Sequence, residues 1–207
     1  MNIKSILGVL SAVKEYLFPY EKLQRRFTSI KNLEELEIFI KQRSAFVTQT
    51  TLYGYLKTRM GLKYTMMFTD EIFLTSVNKS KWNIYAEAVS DLTLYTISYL
   101  QSKDKLKNIN VKDVYSSVLF SEKSNGMPED IIEKHKNSFT KRLQNLDIIN
   151  YHDNQPFENS GKALYNWSPI ADELKILDKE IVLNSIKNKW KLVVADFLNH
   201  VEKFQEN

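Results

Sequence analysis

Cysteine is absent from this 207-residue chain. That excludes disulfide frameworks, thiolate metal sites and thiol nucleophiles. It fits a reducing compartment, and the chain is expected to be cytoplasmic. Glycine and proline are scarce, 5 and 4 residues, so long helices are favoured over turn-rich strands. The glycines Gly8, Gly54, Gly61, Gly126 and Gly161 lie far apart, which leaves no phosphate-cradling loop, dinucleotide fingerprint or G-x-S-x-G elbow. Three histidines occur, His135, His152 and His200, with Ile132, Ile149 and Phe197 three positions before them. Neither a Glu-x-x-His nor an H-E-x-x-H element exists, so no metal site and no cofactor are expected. His135 falls on an apolar stripe and reads as a core or boundary residue. No apolar run approaches the ~20 residues of a membrane span. The apolar run Ile6–Val13 passes directly into Lys14 and Glu15 without a small-residue cleavage site, so it reads as a helix and not as a leader.

With 43% hydrophobic residues, the chain has enough apolar surface for one globular core. Its charge is uneven: residues 1–67 hold 11 Lys and Arg against 5 Glu, net +6, and residues 68–207 hold 18 against 20, net −2. This basic N-terminal region suits an acidic partner, peripheral contact with an anionic membrane, or plain solvation.

Apolar periodicity predicts an all-α fold. Ile3, Ile6, Leu7, Leu10, Val13 and Leu17 form one stripe that Pro19 stops, with the basic cluster Lys22, Arg25 and Arg26 after it. From Asn32 a helix begins with Glu34, Glu35 and Glu37 in its first turns and is expected to run on to Met60, with Gly61 at its cap. The threonines 48, 50 and 51 mark a place for a kink. A short helix capped by Thr69 or Asp70 and a longer one from about Lys79 to Leu100 follow, with Asp91 read as exposed by base rates. The polar run 102–110 is a candidate junction between sub-layers 1–101 and 111–207 of a single helical domain. Beyond it, helices are predicted from Val111 and, after Pro128, along Ile131, Ile132, His135, Phe139, Leu143 and Leu146. Ile148–Tyr151 and Ala163–Trp167 could pair as one small β-hairpin. A helix plus hairpin raises the idea of a winged helix, but HDNQPFENSG at 152–161 holds two acids and no cation, the wrong sign for phosphates. Ser168 and Pro169 predict the start of a long C-terminal helix near 35 residues if unbroken, whose apolar stripe slips in phase between Ile181 and Ile186.

The most unusual stretch is Phe46–Phe68, with five aromatics and three methionines among Lys57, Arg59 and Lys63 and no carboxylate before Asp70. On a helix Leu52, Tyr55, Leu56 and Arg59 share one side, and Tyr53, Lys57, Met60 and Tyr64 another. Tyr53, Tyr55, Lys57, Arg59, Lys63 and Tyr64 are therefore the candidate partner-binding residues, because Tyr and Arg provide rigid area and planar hydrogen bonding. The competing reading places the aromatics in the core and the cations at its rim.

TLYGYLKTRMG at 51–61 and YNWSPIADELKILDKEIVLNSIKNKW at 165–190 resemble an uncharacterised bacterial family associated with alphaproteobacteria, members of which sometimes carry an "esterase" label. That resemblance implies a hydrolase acting on a small ester, with a Ser and a His brought together by folding. The residues themselves favour a helical interaction or accessory protein that binds a protein partner and performs no covalent chemistry. Nucleic-acid binding is the third alternative and is disfavoured by the low net charge of +4.

Overall fold

A computed structural model describes residues 29–154 and 156–206, without the side chains of 65–68. The expected helix at 3–18 and the cluster Lys22, Arg25 and Arg26 lie outside the described residues. Within them are six α-helices and no strand: α1 Leu33–Met60, α2 Glu71–Ser102, α3 Val111–Phe120, α4 Glu129–Gln144, α5 Glu158–Trp167 and α6 Asp172–His200. A 3-10 segment, Gly61–Thr69, joins α1 to α2. No described helix is long and apolar enough to cross a membrane.

The α1 helix starts where its side chains can serve its free N–H groups. Asn32 accepts from the Glu35 amide at 2.9 Å, and the Glu35 carboxylate returns to the Lys31 amide at 2.7 Å. It ends at Gly61, whose φ of +54° favours glycine. The helix runs unbroken through the threonines from Leu33 to Met60. There Thr50 and Thr51 turn their hydroxyls onto the carbonyls of Phe46 (2.8 Å) and Val47 (2.7 Å), one turn back.

The two helices expected on either side of Asn78 are one. Asp70 caps it by accepting from the amides of Ile72 and Phe73, each at 3.0 Å. This α2 helix is the hub: α1, α3, α4 and α5 all pack on it. From Ser80 to Ser98 every residue except Glu87 is buried, so the helix is covered on all sides. Several of its buried polar residues are satisfied locally or by neighbours, although the Thr93 hydroxyl is not. Thr96 bonds the Leu92 carbonyl at 2.9 Å, and Ser80 reaches the Trp167 carbonyl at 2.5 Å.

Asp91 is the chief correction to the sequence reading. It is fully buried and accepts from three directions: Arg142 Nη2 of α4 at 2.8 Å, the Tyr151 hydroxyl at 3.0 Å and the Ser160 amide of α5 at 2.7 Å. Burial pushes its pKa up, while Arg142 and the Ser160 N–H pull it back. The base rate that made it exposed counts residues without partners in view, and its partners stand 51 to 69 positions away.

No hairpin forms. Residues 148–154 are turns, and Ala163–Trp167 belongs to α5. Gly161 lies inside that helix where it meets α6, and a Cβ there would come within 3.3 Å of Leu183 Cδ2. What reads as a turn signal is thus a close-packing position. The 102–110 connection between α2 and α3 is held by the C-terminal tail: the amides of Lys107 and Asn108 donate to Glu206 at 2.7 and 3.0 Å.

The last helix starts later than the cap signal implies. Ser168 turns back to the Leu164 carbonyl at 2.6 Å and closes α5, so α6 begins at Asp172 and has 29 residues. Its slipped stripe separates two environments. Ile186, Trp190, Val193 and Phe197 are buried, whereas Leu177 and Ile181 are 75% and 70% exposed.

Replacing Asp91 by Asn leaves the Arg142 guanidinium without its counter-charge in a nearly closed site. Such a loss costs about 3–5 kcal/mol, so urea denaturation of Asp91→Asn is expected to show a midpoint well below wild type with an unchanged slope.

Candidate functional site

The structure divides the six expected contact residues. Tyr53 and Tyr55 are buried, 7% and 9% exposed, because α2 and α6 both pack on α1 and draw both tyrosine rows inward. This corrects the expectation that they present outward. Tyr64 is half-buried against the core. Lys57, Arg59 and Lys63 are exposed, but Arg59 is engaged: its guanidinium grips Asp178 of α6 through Nε and Nη2. The Tyr55 hydroxyl donates to the same carboxylate at 2.9 Å. Hydrogen bonding from Arg59, and then from Tyr55, holds the Asp178 pKa below its ordinary 3.8. Burial, followed by Asp178, pushes Tyr55 up to about 12. The Arg59, Tyr55 and Asp178 group is therefore a clamp between α1 and α6.

Elsewhere, a groove of about 1050 Å³ lies between α5 and α6. Its floor on α6 is the row Leu183, Ile186, Trp190, Val194 and Leu198, at steps of three and four that keep one face of the helix turned to it. Phe157, at the start of α5, stacks on Trp190 with ring centroids 4.4 Å apart and planes 14° from parallel. The rim carries Lys162 on α5 and Lys179, Lys187 and Lys191 on α6. Glu158 is the one acid of the lining, and it pairs with Lys162 at 2.7 Å.

The buried Asp91 builds this floor. By taking the Ser160 amide it anchors the first turn of α5. Ser160 then accepts from Trp190 Nε1 at 2.9 Å and donates to the Phe157 carbonyl at 3.1 Å. Phe157 itself sits at φ +73°, a conformation bulky residues rarely adopt. Its amide is directed at the Tyr151 hydroxyl, 3.4 Å away. The aromatic stack is thus held by a polar chain running back to the centre of α2.

Two other clusters contain the residue types of hydrolytic chemistry. Ser98 Oγ lies 2.8 Å from His152 Nδ1, and His152 Nε2 lies 3.4 Å from Asp153. Ser98 is fully buried, however, and its hydroxyl donates to the Ile149 carbonyl at 3.0 Å while accepting the His152 amide at 3.0 Å. The hydroxyl has one proton for two neighbouring positions, the Ile149 carbonyl and Nδ1, and it lies in neither concavity, so no substrate carbonyl has a place beside it. The group staples the 148–152 turns to α2.

The second cluster is a pit of about 60 Å³ lined by Glu87, Ser90, His135, Ser138, Arg142 and Asn159. That volume holds about two waters. His135, buried as its stripe implied, is 3.0 Å from Asn83 Oδ1 and 3.2 Å from Glu87. No group of three or more potential ligands among the described residues could hold a metal ion.

The sequence reading missed the groove, although part of its signal was present. Lys179, Lys187 and Lys191 recur at steps of eight and four beside the apolar row. What the sequence does not show is that α5 is a helix, without which the row has no wall.

Asp178 makes the clamp sensitive to acid. Its lowered pKa means that its stabilising contribution is full above 3.8 and is lost as pH falls through the lower folded value. Thermal melts are expected to place Asp178→Asn below wild type at neutral pH, with the gap closing as the pH drops below the ordinary carboxylate range.

Comparison with known proteins adds no relative to this geometry: no family profile, no curated protein and no solved structure matches the chain.

Proposed function

We propose that the chain is a helical interaction protein that binds a protein partner through an aromatic and cationic face and performs no covalent chemistry, and that this face is the groove between α5 and α6. The observation that carries the reading is the apolar groove, open on α6 at Leu183, Val194 and Leu198, beside exposed lysines. Buried apolar area supplies affinity at about 25 cal/mol per Å² before the costs of association, and a flanking cationic rim supplies orientation. Phe157, backed by the buried Trp190, and Tyr165 add the rigid aromatic area common at the centre of such interfaces. The ester-hydrolase alternative has less support, since Ser98, the serine closest to a histidine ring, has its hydroxyl committed and lies in neither concavity.

The test blocks the row. Val194 is half-buried against the core and Leu198 exposed, so Val194→Arg with Leu198→Arg is expected to lower the melting temperature somewhat while leaving a cooperative transition and the helical circular-dichroism spectrum, and Leu198→Arg alone serves as the variant with the smaller stability cost. Affinity purification from the native cell with the wild-type chain as bait should return a stoichiometric protein that the double variant fails to retain. Retention of the same protein by both baits would move the working face away from the groove. Turnover of short-chain p-nitrophenyl esters that disappears on Ser98→Ala would replace the reading with the hydrolase.

A further inference from the structure

We infer that the occupant of the groove is an amphipathic α-helix of a protein partner carrying a row of carboxylates along one flank, an inference that rests on the groove being the partner-binding face.

Shape sets the first condition. Leu183 to Leu198 spans 15 residues of α6, about 22 Å at 1.5 Å per residue. Leu183, Val194 and Leu198 are the accessible apolar members of the row, over a base of buried Ile186 and Trp190, and their steps of eleven and four keep one helix face open to the ridges of a second helix. The α5 helix walls one side of the row. An incoming helix with apolar anchors at i, i+4, i+7 and i+11 matches this length and period. A peptide bound by strand addition would need a sheet edge for its backbone groups, and no strand exists among the described residues.

Charge sets the second condition. Four lysines and one glutamate line the groove, and the glutamate is already paired to Lys162. Lys179, Lys187 and Lys191 spread over 12 residues of α6, about 18 Å. A single-chain anionic amphiphile brings one headgroup and would meet one end of that row. Carboxylates repeated every one or two turns along a helix meet all of it. The volume, about 1050 Å³, also lies just above the range of about 300–1,000 Å³ usual for small-molecule pockets.

The chain's own N-terminal residues satisfy only the first condition. The Ile30 amide donates to the His200 carbonyl at 2.7 Å, so the described chain begins beside the Leu198 end of the groove. The apolar stripe of residues 1–28, Ile3 to Leu17, carries Lys4 and Lys14 against the single Glu15, so it offers one carboxylate to a rim of four lysines. Like charges along the seam disfavour that segment as the resident.

The test uses the full chain and two fluorescein-labelled peptides of about 18 residues, enough to span the row. Both have leucines at i, i+4, i+7 and i+11; one has Glu at the flanking positions and its twin has Lys. Fluorescence anisotropy at low salt should show the acidic peptide binding about tenfold or more tightly than the twin, the preference shrinking at about 0.3 M salt. Lys187→Glu with Lys191→Glu should reverse the order, and Val194→Arg with Leu198→Arg should abolish binding of both. Equal binding of the two peptides, an order that survives the charge reversal, or displacement of the acidic peptide by one equivalent of oleate would overturn the inference. If the native partner is still lost on blocking Val194 and Leu198 while the peptides show no preference of sign, the groove stands as the working face and the acidic helix does not. Peptide binding that ignores the Val194 and Leu198 block removes both.

Discussion

A carboxylate sealed at the centre of α2 is the constraint on which the rest of this structure depends. A bare Asp91 in that position would carry a penalty of several kcal/mol, and the fold meets it by bringing three separate pieces of chain to one side chain. Arg142 fixes α4, Tyr151 fixes the turn-rich connection, and the Ser160 amide fixes the first turn of α5. The α4 helix also buries Ile131, Ile132 and Phe139, whereas the apolar side chains that α5 fully buries are Ala163 and Leu164. The α5 helix has ten residues, too short to persist alone. The hydrogen bonds therefore do what a larger hydrophobic face does elsewhere, and they impose geometry that packing alone leaves loose. From Ser160 the constraint passes to Trp190 and Phe157, which makes the groove floor a consequence of the buried charge.

The α6 helix is placed by a different device. Its C-terminal half is held by burial of Trp190, Val193 and Phe197 and by Arg43 of α1, which donates from Nε to Asp196 at 2.5 Å. Its N-terminal half has an apolar row turned to solvent at Leu177 and Ile181 and depends on Arg59 and Tyr55 gripping Asp178. Two clamps separated by 18 residues fix the helix on α1 from one side. The side turned towards α5 is left to form the groove.

The helical class, most helix bodies and the buried stripe of α4 were legible in the sequence, because periods of three and four over ten or more residues have few other solutions. Asn32, Gly61 and Asp70 showed their capping roles for the same local reason. What was illegible depends on distant partners. Asp91, Glu122 and Lys81 are all buried. Glu122 accepts from the Tyr85 hydroxyl at 3.3 Å and from Asn125 at 2.7 Å, while Lys81 lies 4.3 Å over the Trp82 ring, with burial lowering its pKa to about 8. Single-residue statistics place all three outside. The contact stretch was misread for a related reason: Tyr53 and Tyr55 occupy two faces of α1, and a helix covered by two neighbours buries both. The would-be hairpin failed because Gly161 is needed for helix contact, and a glycine shows its turn use and its packing use with the same letter.

Arginine and lysine take different work in this chain, which bears on why the groove lysines matter. Each arginine among the described residues is bound to an aspartate on another helix: Arg43 to Asp196, Arg59 to Asp178 and Arg142 to Asp91. The planar guanidinium suits that task, since it fixes both direction and distance. Lys179, Lys187 and Lys191 instead stand on a flexible stem beside an apolar row whose one carboxylate is already paired. A cation that braced the fold would be expected to have an acid built opposite it, as the arginines do. On the proposed reading, the lysines exposed along the edge of the apolar trough await a complement that a partner would supply, and their spacing along α6 sets the spacing that complement would have.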